Sequence, residues 1–436
     1  MVRRTWFAFA AALLALSGCG GAPQTAGGSA PAQSVLAPRP AAKPAAPPAQ
    51  PLVATEALST RAPSGSLVAI LAPLTGANAE RGAALVAAAK LALAPPGSPM
   101  LEVFDTASTA EGANAAASQA IAAGAAMLIG PLTAAETAAA AGPATAAGVP
   151  MLAFTNDTAQ AKPGVWTLGL TPAQQVRRLV GALAAQGKTR ISAVLAQDAF
   201  GQAMSTALTE ALAEAALPPP VIRFHGGTIQ SANATMREVS DYGSRRGPLD
   251  AQIKAARALG TPEGRKRAAE LVKQPVPPPP MDALLLSDFG DTLHTLASLL
   301  PYYDIDPPAV RVIGPAQWSN PLVAGETELK AAWYAAPDPA LRGEFATRYE
   351  AANGASPPGL ADYAYDAASI ARALVLRGEG FSMAALCRPE GFAGVNGIVG
   401  LQPDGRVRRG LAIFEIQRGG ATLIDASPDT LAAPGI

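Results

Sequence analysis

The chain has 436 residues, and its 33 Lys and Arg are balanced by 33 Asp and Glu, so the formal net charge at pH 7 is zero. This length suits two or three domains, and the neutral charge argues against nucleic acid as the main partner. Two cysteines and two histidines are too few for a disulfide framework or for most zinc sites. Aromatic residues make up only 5% of the chain and alanine is abundant, which indicates packed helices rather than membrane spans.

Residues 1–18 are predicted to be a signal peptide. Two arginines precede the apolar stretch Trp6–Leu16, whose 11 residues are too few to span a bilayer. The stretch ends in Leu16-Ser17-Gly18-Cys19, which resembles a bacterial lipobox and predicts a diacylglyceryl group on Cys19. A plain secretory signal with an incidental cysteine is the alternative. We therefore expect a lipid-anchored periplasmic protein. Because Gly20 rather than Asp follows the cysteine, the outer membrane is favoured over the inner membrane.

Residues 19–63 are predicted to be a disordered tether that begins with the lipidated cysteine. Of the 44 residues from 20 to 63, 13 are Ala and 9 are Pro, and so many prolines leave no helical or strand period. With polyproline II geometry, about 3.1 Å per residue, this segment would extend on the order of 130 Å. Such a reach would let the globular part work away from its membrane, although a spacer without a specific purpose fits equally well.

From Ser66 onwards, short apolar runs alternate with alanine-rich segments of helical spacing. The runs predict buried strands at 67–71, 101–104, 126–129, 149–154, 191–195, 281–286 and 310–313. The alanine-rich segments predict helices at 80–93, 111–122 and 134–146. Buried strands that alternate with helices are typical of an α/β protein with doubly wound, mostly parallel sheets.

Ligands of such sheets bind at the carboxyl ends of the strands, where the connecting loops gather. The loops expected at this edge are 73–76, 105–106, 130–133 and 154–157. They are short and rich in hydroxyl groups, amides and free backbone N–H groups. This composition suits a small polar ligand that is bound and not transformed.

The side chains that carry chemistry show no catalytic arrangement. His225 and His294 lack a Ser or Cys partner at a recognisable spacing and are expected in capping or surface roles. The carboxylates are scattered and form no acid–base pair. Gly181–Thr189 is close to a phosphate-binding loop, but it has one residue too many between its glycines and precedes a strand instead of a helix. We therefore expect no enzyme activity, no catalytic residue, no metal and no cofactor.

Five motifs follow one another along the chain in a characteristic order. They are Leu67–Gly76, Ala125–Thr133, Gly148–Asp157, Gln197–Gly201 and Gly394–Gly405. Together they resemble type I periplasmic binding proteins of the leucine-binding, or branched-chain amino-acid, class. The resemblance implies two doubly wound α/β lobes joined by three crossover strands, with a ligand in the cleft between them. On this pattern lobe 1 comprises 66–172 and 337–395, and lobe 2 comprises 173–336 and 396–425.

The same resemblance implies which residues hold the ligand. In the family, a serine after a Gly-x-Leu turn and an Ala-x-Thr loop bind the amino-acid ligand from the first lobe. Here these positions correspond to Thr133 or Ala134 and to the loop 155–157, and the second lobe offers substitutes by position. The candidate ligand-binding residues are Thr75, Thr133, Ala134, Thr155, Asn156, Asp157, Asp198, Phe200, Asp288 and Trp318. A capping or surface role is the alternative for each of them.

Residues 241–280 look like an insertion in the second lobe. The segment carries eight Lys or Arg and four acidic residues, and Leu249, Ile253, Ala256 and Leu259 recur at helical spacing. A charged helix of this kind is commonly a solvated face. The alternative is a docking surface for a protein partner or for an anionic cell-wall polymer.

A narrower resemblance concerns Leu168–Gln175, Leu299–Asp306 and Gly314–Trp318. These segments are similar to penicillin-binding-protein activators, which are outer-membrane lipoproteins that stimulate a peptidoglycan synthase. Two functions therefore stay open. The protein captures a small polar solute of the amino-acid class for an ABC permease, or it activates cell-wall synthesis by docking to a peptidoglycan synthase. In both cases membrane contact is expected only through the lipid anchor.

Overall fold

The computed structural model describes residues 66–432 and Gly435. The predicted signal peptide, the lipidation site Cys19 and the Ala/Pro-rich tether lie outside the described residues. Within the described part of the chain, no helix is both long enough and apolar enough to cross a bilayer.

The first sheet has five parallel strands in the order β2-β1-β3-β4-β5. They are β1 (Leu67–Ala72), β2 (Met100–Asp105), β3 (Ala125–Ile129), β4 (Met151–Ala153) and β5 (Val165–Thr167). The helices that connect the first four strands are α1 (Ala79–Leu93), α2 (Ala110–Ala122) and α3 (Ala134–Ala147). Residues 68–72 of β1 are inaccessible to solvent, which is why this strand is a continuous apolar run instead of an alternating one.

The second sheet begins with five further parallel strands. They are β6 (Ile191–Ala196), β7 (Val221–His225), β8 (Ala283–Leu286), β9 (Arg311–Gly314) and β10 (Trp333–Ala336). The helices of this part are α4 (Pro172–Ala185), α5 (Ala199–Glu214), α6 (Ile229–Val239), α7 (Tyr242–Arg245), α8 (Gly247–Ala258), α9 (Pro262–Val272) and α10 (Gly290–Leu299). One face of the sheet packs on α4 and α5, and the other face packs on α6 and α10.

After β10 the chain returns to the core of the first sheet. It adds α11 (Pro339–Asn353), α12 (Ala361–Leu376), α13 (Met383–Leu386) and the hairpin of β11 (Val399–Leu401) and β12 (Val407–Arg409). Finally β13 (Ala412–Gln417) and β14 (Gly420–Asp425) add antiparallel strands next to β10, so the second sheet has the order β14-β13-β10-β9-β8-β6-β7. The predicted fold class, two doubly wound α/β lobes with parallel sheets, is confirmed.

We call the first sheet with its helices lobe 1 and the second sheet with its helices lobe 2. The segment 396–425, assigned to lobe 2 from the sequence, is divided between them. Val399, Leu401 and Val407 of the hairpin pack in the core of lobe 1, whereas β13 and β14 extend the sheet of lobe 2. The chain thus passes between lobes at 168–171, 337–338 and 410–411.

Buried arginines hold two of these crossings in place. The guanidinium of Arg409, which is 1% exposed, lies 3.3 Å from a carboxylate oxygen of Asp366 and donates a hydrogen bond to the Leu168 carbonyl at 3.1 Å. On the side of lobe 2, Arg178 of α4 donates to the Leu411 carbonyl at 2.7 Å. Each arginine therefore ties crossover backbone to one lobe. We call the three crossings at 168–171, 337–338 and 410–411 the hinge.

The basic insertion contains a helical hairpin with a small core of its own. Ile253 and Ala256 of α8 pack against Ala268 and Leu271 of α9. Leu259, the C-cap of α8, is 64% exposed, so the predicted apolar stripe is wrong at its last position.

Candidate functional site

The two lobes share a cavity of about 640 Å³ at the carboxyl ends of β3 and β4. From lobe 1 it is lined by Thr133, Ala134 and the loop Thr155–Asp157, and by Tyr363 of α12. From lobe 2 it is lined by Gln175 and by Ala316 and Gln317, which follow β9. Five of the ten predicted ligand-binding residues thus lie together at one cavity between the lobes.

Thr133 enters this cavity as the N-cap of α3. The turn that leads to Thr133 requires a glycine at position 130. Gly130 has a φ of +90°, and a Cβ there would lie 2.3 Å from the Leu71 carbonyl oxygen. The Thr133 hydroxyl donates to Oε2 of Glu136 at 2.7 Å, and the Glu136 N–H donates back to that hydroxyl at 3.2 Å. This capping box uses the only proton of the hydroxyl. The donors left at this end of α3 are the N–H groups of Ala134 and Ala135, since those of Glu136 and Thr137 bind Thr133.

Glu136 is responsible for this arrangement. Its side chain is 1% exposed and accepts hydrogen bonds from the Thr133 N–H and from the hydroxyls of Thr133 and Thr106. A buried carboxylate needs such donors to offset its lost hydration. The Thr133 hydroxyl therefore donates its proton to Glu136. Towards a ligand it can only accept a hydrogen bond.

The hydroxyls of Thr155 and Tyr363 differ from that of Thr133, because their protons are not used. The Thr155 hydroxyl accepts from the Asp157 N–H at 3.1 Å, and the Tyr363 hydroxyl accepts from the Leu170 N–H at 3.2 Å. Within the described residues, neither hydroxyl has an acceptor for its own proton. Burial raises the pKa of Tyr363, so its phenol remains protonated. Both hydroxyls are thus donors available to a ligand in the cavity.

Asp157 supplies a negative charge to the same cavity. One of its carboxylate oxygens accepts from the Ala159 N–H and the other from the Gln160 amide, each at 3.0 Å. The side chain is partly exposed, and an ionised carboxylate has further lone pairs for a cation. Asn156 is exposed next to it, and its backbone lies so close to Gly169 that a Cβ on Gly169 would be 2.6 Å from the Asn156 nitrogen.

A second cavity, of about 460 Å³, lies at the carboxyl edge of the sheet of lobe 2. It is lined by Asp198 after β6, by His225 at the end of β7, and by Asp288 and Phe289 after β8. The strand order reverses between β6 and β8, and such a switch point is where open α/β sheets bind ligands.

A buried hydrogen-bonded pair forms the floor of this second cavity. Nε2 of His225 lies 3.1 Å from Oδ2 of Asp288, and the Gly227 N–H donates to Nδ1 of His225 at 3.2 Å. Because Nδ1 accepts, Nε2 carries the proton and donates it to Asp288. His225 is 1% exposed, so the expected surface role is wrong for this residue, whereas its Nδ1 does accept a backbone N–H. His294 does lie on the surface, where its imidazole pairs with Glu326 at 2.8 Å.

The other predicted residues lie apart from the first cavity. The Thr75 hydroxyl donates to Asp105 at 2.7 Å in an exposed loop. Asp198 caps α5 by accepting from the Gly201 N–H at 2.7 Å, and Phe200 packs on the edge of Phe289. Trp318 is buried in the core of lobe 2, where its indole N–H donates to the Asp288 carbonyl at 2.9 Å. Their part in ligand binding stays a prediction.

Sequence reasoning missed Tyr363, Gln175 and Gln317. Tyr363 belongs to an alanine-rich helix, and no local pattern distinguishes it from a packing residue. Gln175 directly follows the capping glutamine of α4, and its side-chain oxygen Oε1 accepts from the Ala316 N–H at 2.7 Å. Among residues 66–432, no three His, Cys, Asp or Glu side chains are grouped so that they could hold a metal ion.

Comparison with known proteins agrees with this architecture. The sequence model described as periplasmic binding protein matches residues 67–421. The chain belongs to the periplasmic binding protein family. This membership implies a protein of the periplasm, and it confirms the resemblance on which the two-lobed fold was predicted. No curated protein sequence matches the chain significantly.

Solved structures similar to this periplasmic binding protein include both predicted classes. A putative branched-chain amino acid ABC transporter from Rhodospirillum rubrum is 19% identical, with a TM-score of 0.58 over 83% of this chain and 100% of that chain. The C-domain of LpoA from Haemophilus influenzae, a regulator of PBP1A, is 16% identical, with a TM-score of 0.59 over 82% of this chain and 100% of that domain.

Full-length LpoA is 16% identical, with a TM-score of 0.60, and the match covers 85% of this chain but 60% of that one. At such low identity these likenesses show a shared fold and leave the function to the site.

Proposed function

We propose that the protein captures a small polar solute of the amino-acid class in the cleft between its lobes and delivers it to an ABC permease. The observation that carries this proposal is the pair of hydroxyl protons on Thr155 and Tyr363, which have no acceptor among the described residues. Together with the N–H groups at the start of α3, they would bind the carboxylate of a zwitterion. The carboxylate of Asp157, at the same cavity, would bind its ammonium group.

Closure about the hinge would complete the site. Gln175 and Gln317 of lobe 2 line the cavity opposite the residues of lobe 1. A ligand that contacts both lobes stabilises the closed arrangement, because those contacts are lost when the lobes separate. The crossings at 168–171, 337–338 and 410–411 would accommodate the rotation.

We also propose that, after removal of residues 1–18, a lipid on Cys19 anchors the protein at the periplasmic side of a membrane. The outer membrane is favoured over the inner membrane by Gly20. The Ala/Pro-rich segment up to residue 63 would then act as the tether between the lipid and the two lobes. A single lipid anchor with a long tether suits a binding protein that must reach its permease.

Isothermal titration with a panel of amino acids tests the cleft directly. Thr155→Val and Tyr363→Phe each remove one donor to the proposed carboxylate, so each should weaken binding by roughly 10- to 150-fold. Thr422→Val and Tyr302→Phe are matched controls at exposed positions outside this cavity and should bind as the parent protein does. If no amino acid binds, the ligand class is wrong. If binding is tight but insensitive to both variants, the ligand lies elsewhere.

A second function, activation of a peptidoglycan synthase, is favoured by the basic hairpin of α8 and α9. Its exposed cations are Lys254, Arg257, Arg265, Lys266, Arg267 and Lys273. Within the described residues, the only ion pairs of the insertion involve Arg245 and Arg246 at its base. Exposed cations without a carboxylate partner suit docking to an acidic protein surface.

Binding to a purified peptidoglycan synthase, measured as the salt concentration rises, tests this second function. Lys266→Glu should slow association and reduce its salt dependence, because rim charges act mainly on the association rate. Arg418→Glu, an exposed charge reversal on the turn between β13 and β14, is the matched control. No binding to the synthase, or equal effects of both variants, would count against docking through this hairpin.

A further inference from the structure

A third cavity adjoins the cleft on the side of lobe 2. It is a groove of about 1040 Å³ between the start of α10 and the segment 317–326. Phe289 and Leu322 line it, and they are 55% and 81% exposed. Two large apolar side chains that face one groove leave apolar surface in contact with water, which a ligand would cover.

Gln317 stands where this groove meets the cleft, since it lines both cavities. Its side chain is exposed, and in the described part of the chain its carboxamide has no hydrogen-bond partner. A carboxamide offers an oxygen acceptor and two N–H donors, which complement the N–H and C=O of a peptide group. The polar cavity, the Gln317 carboxamide and the apolar groove thus lie next to one another in that order. A short peptide has the matching order: an amino-terminal residue, a peptide bond and an apolar second side chain.

We propose that the ligand of this cleft is a short peptide with an apolar second residue. Its first residue occupies the polar cavity, with its ammonium group at Asp157 and its peptide carbonyl, in place of a free carboxylate, at the Thr155 and Tyr363 hydroxyls. Gln317 accepts from the peptide N–H, and the second side chain packs against Phe289 and Leu322. This inference rests on the proposed solute-binding function and names its ligand class.

The rim of the groove argues for one side chain instead of a long acyl chain. His294 and Glu326 form a hydrogen-bonded pair along it, with Asp291 beside them. An acyl chain that filled the groove would remove these polar side chains from water at a cost in free energy. A single leucine side chain covers the apolar residues without burying the pair.

Titration calorimetry with L-alanine, L-leucine, Ala-Leu and Ala-Asp distinguishes the possibilities. Burial of one leucine side chain should make Ala-Leu bind about tenfold tighter, or more, than either single amino acid. Ala-Asp should gain nothing over alanine. If Ala-Leu binds no tighter than leucine, the peptide assignment is overturned while solute binding stands. If none of the four binds, both proposals fail.

A pair of surface variants locates the second residue. Leu322→Asp should weaken Ala-Leu about tenfold and leave the affinity for single amino acids unchanged. Leu259→Asp is the matched control, since Leu259 is 64% exposed on the helical hairpin of the insertion. Both positions are exposed, so neither change removes a packed side chain. An unchanged affinity of Leu322→Asp for Ala-Leu would place the apolar residue outside the groove.

Discussion

Asp366, at the hinge, makes the stability of this protein depend on pH in an unusual direction. Its side chain is 1% exposed, and its carboxylate accepts from the Val395 N–H at 2.7 Å and lies 3.3 Å from the Arg409 guanidinium. Burial raises the pKa of Asp366 to about 6, against the opposing effects of Arg409 and the Val395 N–H. We predict that this carboxyl group destabilises the fold as it ionises.

The size of the effect follows from the difference between folded and unfolded pKa values. An aspartate in an unfolded chain has a pKa of about 3.9, so the difference is about 2 units, or about 3 kcal/mol. Because the folded pKa is the higher one, the folded protein retains the proton longer as the pH rises. The contribution of Asp366 to the free energy of unfolding is therefore greatest below about pH 4 and falls until about pH 6. Carboxylates with lowered pKa values, such as Asp282 at about 2, act in the opposite direction and at lower pH.

Urea unfolding of the parent protein and of Asp366→Asn, at pH 4, 5, 6 and 7, isolates this contribution. The free energy of unfolding of the parent, minus that of the variant, should decrease by about 2 kcal/mol from pH 4 to pH 7, because an unfolded aspartate is already about half ionised at pH 4. Subtraction removes the carboxyl groups that the two proteins share. A difference that rises with pH would show that Arg409 outweighs burial and that the pKa of Asp366 is lowered.

Three further predictions concern the same lobes. Arg409→Met leaves Asp366 buried without its cation and should lower the free energy of unfolding at pH 7 by about 3–5 kcal/mol, measured in urea; a loss below about 1 kcal/mol would contradict the buried pair. Gly314→Ala puts a Cβ within 2.3 Å of the Trp318 ring and should lower the free energy of unfolding by about 1–3 kcal/mol, measured by thermal melting. Gly142→Ala is the control, because Gly142 has open space around it, and it should not lower the free energy of unfolding. Glu136→Ala leaves the buried hydroxyl of Thr106 and the partly buried hydroxyl of Thr133 without their acceptor and should cost about 1–3 kcal/mol in guanidinium unfolding. A neutral result would mean that the capping box is dispensable.

Much of the fold could be predicted because burial leaves a local mark. The runs 67–71 and 191–195 are apolar throughout, since parallel strands covered by helices on both faces have no solvent side. The alanine-rich segments 111–122 and 134–146 became α2 and α3, which pack closely because alanine is small. The hairpin at 399–409 was harder to assign, since nothing local in a short hairpin indicates which of two cores it joins.

The candidate site was predictable only in part. Thr133 and Thr155 could be found because strand ends of a doubly wound sheet meet at one edge. Tyr363 could not, because it comes from a helix about 200 residues later, and its place at the cleft depends on how the chain returns to lobe 1. The structure also changes the meaning of Thr133, whose hydroxyl donates to Glu136.

By itself the sequence therefore predicted seven of the strands, the helices α1 to α3, and the loops 130–133 and 154–157 that line the cleft. Those features depend on side-chain periodicity and on turn residues, which are local properties of a chain. The tertiary structure alone decided which hydroxyl protons are available to a ligand, that His225 meets Asp288, and that Gln317 joins the cleft to an apolar groove. A buried donor bonds to an acceptor that is close in space, whatever their separation along the chain. Residues such as Thr106 and Glu136 become neighbours only when the sheet has formed.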